Sequence, residues 1–187
     1  MQFTVDCDEA FPFSEGRAKI EKDDTIRYIN KKGEIITDQG FEEGRPFSEG
    51  LAAVSVFKDD GEDDSGTMGF INKSGKLVIP AKFEGVGDFS NGLAMFNTES
   101  KRRNTGYYSL IGFINKKGEV VIEPKIKPFD NHEKFSEGLY GGEIEGGNGN
   151  VGYINTEGEI AISSIYQDAQ PFSEGLAYVV EENDSDD

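Results

Sequence analysis

Two sets of side chains in this sequence recur at positions where they could do chemistry. Glutamate returns inside a Phe-Ser-Glu-Gly phrase, at Glu15, Glu49, Glu137 and Glu174, with Asn91 in the third of five copies. If the copies stack, these carboxylates fall on one line, and a row of hard oxygen donors could collect calcium or hold a cationic partner. Ser-Glu-Gly is also the grammar of a tight turn, in which Ser bonds local backbone, Glu is solvated and Gly takes a positive φ. Asn91 fits the turn better than the metal line, so the turn is the expectation. A second cluster, Asp59, Asp60, Glu62, Asp63 and Asp64, is dense in oxygen donors. It lacks the alternating Asp/Asn and terminal Glu of an EF-hand loop and reads as a solvated hairpin tip.

Nucleophiles and bases are scarce. His132 is the one histidine and Cys7 the one cysteine, 125 residues apart, and nothing local joins them into a pair. No carboxylate pair stands out from the acidic background as glycosidase machinery. The Gly141-Gly142 to Gly149 stretch lacks the Lys-Ser/Thr of a phosphate loop and opens no helix. The expectation is therefore no enzyme, no cofactor and no metal.

The elements that carry these residues are repeats. Phe-Ser-Glu-Gly or its Asn variant begins at 13, 47, 89, 135 and 172, and an aromatic-Ile-Asn-x-x-Gly phrase begins at Tyr28, Phe70, Phe113 and Tyr153. From the second phrase to the next Phe-Ser-Glu-Gly the separation is 19, 19, 22 and 19 residues; in the other direction it is 15, 23, 24 and 18. A near-constant length implies a packed segment, and a variable one implies a surface tip where insertions cost little closure entropy.

Each unit reads as three strands. Strand A follows the Phe-Ser-Glu-Gly glycine (Leu51 to Val56), strand B carries aromatic-Ile-Asn (Gly69 to Asn72), and strand C is the apolar run after the turn (Leu77 to Ile79). Asn-x-x-Gly between B and C, as in Asn30 to Gly33, is a hairpin signal: Asn suits the turn entry and Gly the left-handed position. Pro80 and Pro124 are expected to end their strands, and Phe3-Thr4-Val5 is expected to form a short strand before a turn at Asp8-Glu9. A second ring, Phe41, Phe83, Phe129 or Tyr166, precedes each of the last four Phe-Ser-Glu-Gly phrases by six residues and predicts a buried aromatic ladder. Helical periodicity is absent.

Composition narrows the partners. The 187 residues carry a formal charge of −17 from 36 acidic and 19 basic side chains, a sign that repels nucleic acid and anionic lipid. No apolar run approaches a membrane span, so membrane insertion is not expected. A single cysteine leaves the redox compartment open, and the chain reads as soluble, either cytoplasmic or exported with its leader absent from this sequence.

The phrases resemble the bacterial WG-repeat family, whose unit looks like Trp-Gly-Tyr-Ile-Asp-x-x-Gly-x-Val-Val-Ile-Pro-x-x-Tyr-Asp-x-Ala-x-x-Phe-Ser-Glu-Gly-Leu-Ala. The match is closest over Met68 to Ala94 and Val151 to Ala177. The family Trp is replaced in every unit, by Ile26, Met68, Ile111 and Val151, and Arg27 replaces the following Gly in the first. The resemblance implies a β-repeat module for interaction or surface display. The expected fold is all-β, a tandem repeat of antiparallel three-stranded units forming an open twisted array, with a small β-propeller as the alternative. Residues 1–180 are expected to form one repeat domain and 181–187 an acidic disordered tail.

Most variation between units lies at the tips joining strands A and B: the acidic cluster above, the basic Lys101, Arg102 and Arg103 with Tyr107 and Tyr108 nearby, and the glycine-rich stretch. These tips are the candidate interaction residues for a protein partner. A carbohydrate or cell-envelope ligand held by exposed rings such as Tyr107, Tyr108 and Tyr140, and a calcium-stabilised module, are the alternatives.

Overall fold

The computed structural model describes residues 4–57, 67–98, 101–103, 106–128, 134–144 and 149–181, with the main chain alone for 101–103 and 106–108. Regular structure among the described residues is entirely β. Packing divides the chain into unit 1 (Met1–Phe89 with Lys116–Gly118) and unit 2 (Ser90–Asn115 with Glu119–Asp187).

In unit 1, β1 (Glu9–Ala10), β2 (Arg17–Lys22) and β3 (Thr25–Asn30) form one antiparallel sheet in that order. A second sheet runs β4 (Glu43–Gly44), β5 (Leu51–Val56), β6 (Thr67–Asn72) and β7 (Leu77–Phe83). Unit 2 contributes β8 (Leu93–Asn97), the hairpin β9 (Lys101–Arg103) and β10 (Gly106–Tyr108), β11 (Ile111–Asn115), β12 (Val120–Lys127), β13 (Leu139–Ile144), β14 (Val151–Asn155), β15 (Ile160–Ala169) and β16 (Val179–Glu181). Seven of these make a sheet of order β16-β15-β14-β13-β12-β11-β8, and none of the sheets closes into a barrel.

The repeat is visible in the register. Strands A and B pair with the residue after Phe-Ser-Glu-Gly opposite the turn asparagine in all four copies: Arg17↔Asn30, Leu51↔Asn72, Leu93↔Asn115 and Leu139↔Asn155. The asparagine then builds the B–C turn. Its Oδ1 accepts from the main-chain N–H two residues on, as at Lys32 (2.8 Å) and Ser74 (2.9 Å), while its carbonyl accepts from the turn glycine, Gly33 or Gly75. Such Asx bonding replaces donors that a turn would otherwise leave to water.

Ring packing explains the near-constant spacing. Each strand B aromatic meets the Phe of the next Phe-Ser-Glu-Gly edge to face: Tyr28 and Phe47 at 5.5 Å, Phe70 and Phe89 at 4.8 Å, Phe113 and Phe135 at 4.8 Å, Tyr153 and Phe172 at 5.0 Å. Such pairs are worth about 0.5–1.5 kcal/mol each beyond the area they bury. The second ring joins this core at Phe41 and Phe83, which are buried; Tyr166 is half-buried, and Phe129 lies outside the described residues. Ile26, Met68, Ile111 and Val151, at the family Trp position, are all buried. The position is a core plug that an aliphatic side chain fills.

Two local expectations are corrected. Pro80 and Pro124 lie inside β7 and β12. Each sits where the ladder is interrupted: Phe70 pairs with Ile79 but Met68 with Phe83, and Phe113 with Ile122 but Ile111 with Ile126. A bulge needs no donor from the proline, so the strand passes through it. The bulged chain runs so close over strand B that a Cβ on Gly69, Gly112 or Gly152 would lie 2.5, 2.6 or 2.7 Å from the carbonyl oxygen of Ile79, Ile122 or Ile162. Only glycine fits there. Arg27 has the equivalent place in the first copy, where strand C is reduced to isolated bridges, Ile26↔Phe41 and Ile29↔Ile35.

At the N-terminus Phe3 lies outside the described residues and Thr4–Cys7 is irregular. Pairing starts instead at Glu9, opposite Glu21, with Asp8 N–H on the Glu21 carbonyl at 2.8 Å. Val5 and Cys7 pack on Ala18, Ile20 and Ile29, so this segment contributes through side chains rather than a ladder. No helix of the described residues is long and apolar enough to cross a membrane.

Candidate interaction site

The repeated Phe-Ser-Glu-Gly residues come first, because their chemistry is the most regular. Both central residues of every copy are left-handed: φ is 49° at Glu15, 50° at Glu49, 53° at Asn91, 52° at Glu137 and 53° at Glu174, with each following glycine between 79° and 90°. With Ser14 and Arg17 exchanging main-chain bonds of 2.8 and 2.9 Å, this is a two-residue type I′ hairpin turn. Asn-Gly is its preferred sequence, so Asn91 is the relaxed choice and the glutamates are the strained ones. A glutamate held there costs about 1 kcal/mol, which calls for a compensating role.

That role is to join one copy to the next. Glu15 Oε2 accepts from the Gly50 N–H at 2.8 Å and pairs with Lys73 Nζ at 3.0 Å. The Lys73 hydrogen bond is the chief reason its carboxyl titrates below the ordinary range. Glu49 pairs with Lys116 at 3.0 Å, and Glu137 accepts from Gly175 N–H at 2.9 Å. In the third copy both ionic members change together: Asn91 replaces Glu, and the turn position equivalent to Lys73 and Lys116 holds Thr156.

Serine completes the joint. Ser14 Oγ donates to the Phe47 carbonyl (2.6 Å), Ser48 to Phe89 (2.8 Å), Ser90 to Phe135 (2.9 Å) and Ser136 to Phe172 (2.5 Å). Three carboxylates of the row, Glu15, Glu49 and Glu137, are thus engaged by lysines or main-chain N–H groups, and Glu174 of the last copy is exposed. Among the described residues no three His, Cys, Asp or Glu side chains gather to hold a metal ion.

The tips differ from copy to copy. The first is tight, with Asp23 and Asp24 at φ 49° and 56° and the Asp23 N–H on Asp8 Oδ2 at 2.8 Å; Lys22 pairs with Asp6. Asp59, Asp60, Glu62, Asp63 and Asp64 of the second lie outside the described residues, as does His132. The third folds as the β9–β10 hairpin, whose register sets Lys101 opposite Tyr108, Arg102 opposite Tyr107 and Arg103 opposite Gly106. It brings the five predicted basic and aromatic residues into one arm.

Tyr140 leaves the candidate set. It is 1% exposed, edge-on to Phe113 at 4.9 Å, and burial raises its phenol pKa well above the ordinary value. Sequence reading also missed a groove of about 280 Å³ in unit 1, lined by Phe11, Pro12, Phe13, Arg17, Lys19 and Phe47 among others. The available signal was Arg17 and Lys19, where other copies carry Leu51 and Ala53, or Leu93 and Met95.

A family model described as WG containing repeat matches residues 6–25, 26–56, 68–101, 111–141 and 152–183. Neither the curated proteins nor the solved structures give a match to the chain. The five matched segments cover most of the sequence and follow the repeat seen in the strands, turns and inter-copy bonds: the chain belongs to the WG containing repeat family.

Proposed function

We propose that this repeat scaffold is non-enzymatic and holds a protein partner through its variable A–B tips. In this reading residues 1–180 act as one repeat domain and 181–187 as an acidic tail. The observation that carries the reading is the division of labour among side chains. Ser, Glu, Asn, Gly and the aromatic residues common to the copies are spent on turns, inter-copy bonds and core, as in Ser48 on the Phe89 carbonyl and Phe70 against Phe89. Residues that differ between copies gather at the tips, and repeat arrays use such variable positions for recognition.

The test is a pull-down from the native cell that compares the wild-type chain with one whose second and third tips are replaced by Gly-Ser. Loss of partners from the swapped chain supports the reading, and an unchanged set of partners overturns it. A carbohydrate ligand would need several exposed rings in one shallow groove. The burial of the repeated rings Phe47, Phe89, Phe135, Tyr28, Tyr140 and Tyr153 leaves them out of any such groove and supports the protein partner.

A further inference from the structure

The groove in unit 1 combines an aromatic floor with cations and no carboxylate. Phe11, Pro12, Phe13 and Phe47 line it beside Arg17 and Lys19, whereas two other grooves of the same unit mix the signs, Asp6 and Asp23 with Lys22 and Arg27 in one and Asp38 with Lys76 in the other. Lys19 Nζ lies 3.8 Å from the Phe11 ring centre. Arg17 spends Nε on the Lys73 carbonyl (2.9 Å) and one terminal nitrogen on the Gly16 carbonyl (3.0 Å). Neither cation forms an ion pair among the described residues. In a chain with 36 acidic and 19 basic side chains, this is a local reversal of charge. At physiological salt a ligand senses charges within about 8 Å, so the two lining cations weigh more in what the groove attracts than the net charge of the chain.

We propose that this groove docks an acidic peptide segment of a protein partner. A large apolar anchor sits on Phe11, Pro12 and Phe13, and flanking carboxylates reach Arg17 and Lys19. Three observations carry this. The volume of about 280 Å³ lies at the lower edge of the roughly 300–1,000 Å³ of small-molecule pockets and leaves room for a large anchor side chain of a longer ligand. Phe13 is 46% exposed, while Phe47, Phe89 and Phe135 at the same repeat position are 1–2% exposed, so an apolar surface that is core elsewhere is open here. Arg17 and Lys19 are two residues apart on β2, hence on one face and about 7 Å apart, a spacing that two carboxylates of an extended segment can match. The groove shares no residue with the tips, so this inference goes beyond the tip reading.

The test titrates the full chain into a fluorescein-labelled, end-capped Asp-Glu-Leu-Tyr-Glu-Asp peptide at 0.15 M salt, read by fluorescence polarisation. Two control peptides replace the four carboxylates by Lys, or Leu-Tyr by Ser-Ser. Saturable binding by the parent peptide alone is expected. Lys19→Glu should weaken it about tenfold or more, Lys19→Gln about threefold, and Phe13→Ser about tenfold, each read at a temperature where circular dichroism shows the variant folded, because Lys19 lies over the Phe11 ring and Phe13 is partly covered. Replacement of residues 58–66 by Gly-Ser should leave the affinity unchanged. The proposal is overturned by no saturable binding at millimolar protein, by equal binding of either control peptide, by unchanged affinity in the Lys19 and Phe13 variants, or by loss of binding on the tip replacement.

Discussion

Ser48→Ala isolates the joint between copies. The substitution keeps the turn, because Glu49 and Gly50 supply its left-handed residues, and deletes the Oγ–H donated to the Phe89 carbonyl at 2.8 Å. A neutral hydrogen bond contributes about 1 kcal/mol net, and an acceptor left unsatisfied in a buried setting raises the loss toward 2. Phe89 is 1% exposed, so its carbonyl has little access to water and a loss of about 1–2 kcal/mol is expected. For a unit of this size each 1 kcal/mol lowers the melting temperature by about 4–8 °C. Ser173→Ala is the matched control: the same turn residue, with no hydrogen-bond acceptor for its Oγ among the described residues, should change stability by less than about 0.5 kcal/mol. The assay is urea unfolding followed by far-UV circular dichroism and tyrosine fluorescence, with the slope compared between variants to confirm equal surface exposure. Equal losses for Ser48→Ala and Ser173→Ala would refute the reasoning, because the turn alone would then account for the serine.

Gly69→Ala places a methyl 2.5 Å from the Ile79 carbonyl oxygen and should cost about 2–3 kcal/mol by forcing the bulge away; Arg27→Ala, at the equivalent place without a continuous strand C, should stay within about 0.5 kcal/mol in the same urea titration. The pH profile of stability should fall at both ends. Glu15, whose pKa is lowered from 4.5 mainly by Lys73, contributes fully above that value and its share is lost as pH drops below it, so Glu15→Gln should flatten the acid limb. Tyr28, Tyr140 and Tyr153 have phenols raised above 10 by burial, so their contribution is complete below pH 10 and lost above it; a melting temperature that holds steady from pH 9 to 12 would contradict that burial.

Turn chemistry was legible in the sequence because it is local. Asn30 and Gly33 need only their neighbours to make a turn, and the register Leu51↔Asn72 is marked by the phrases that flank strands A and B, whatever the length of the tip between them. The aromatic ladder was legible because its ring pairs keep nearly one spacing, 19 residues in three copies and 22 in the other. What escaped was written in main-chain atoms. The acceptor of Ser48 is a carbonyl, which any residue supplies, so no letter marks the joint to Phe89. Glutamate at positive φ is likewise invisible until Glu15 is seen between Gly50 and Lys73. Pro80 and Pro124 were misread because a bulge removes the need for a donor, and bulges follow from the close passage over Gly69 and Gly112 rather than from the prolines. Of the candidate site, the third tip was found in sequence and is gathered by β9 and β10. The groove joins Phe13 to Phe47 across 34 residues, and its one local sign was a pair of cations in strand A.

In the proposed reading, shared residues hold the scaffold while the tips recognise a partner. The most direct measurement runs partner capture and thermal melting side by side on three chains: wild type, Ser48→Ala, and one with residues 58–66 and 101–108 replaced by Gly-Ser. The tip-replaced chain should melt within about 2 °C of wild type and lose its partners, whereas Ser48→Ala should melt lower and keep them below its transition. Retention of every partner by the tip-replaced chain, with loss from folded Ser48→Ala, would contradict that reading.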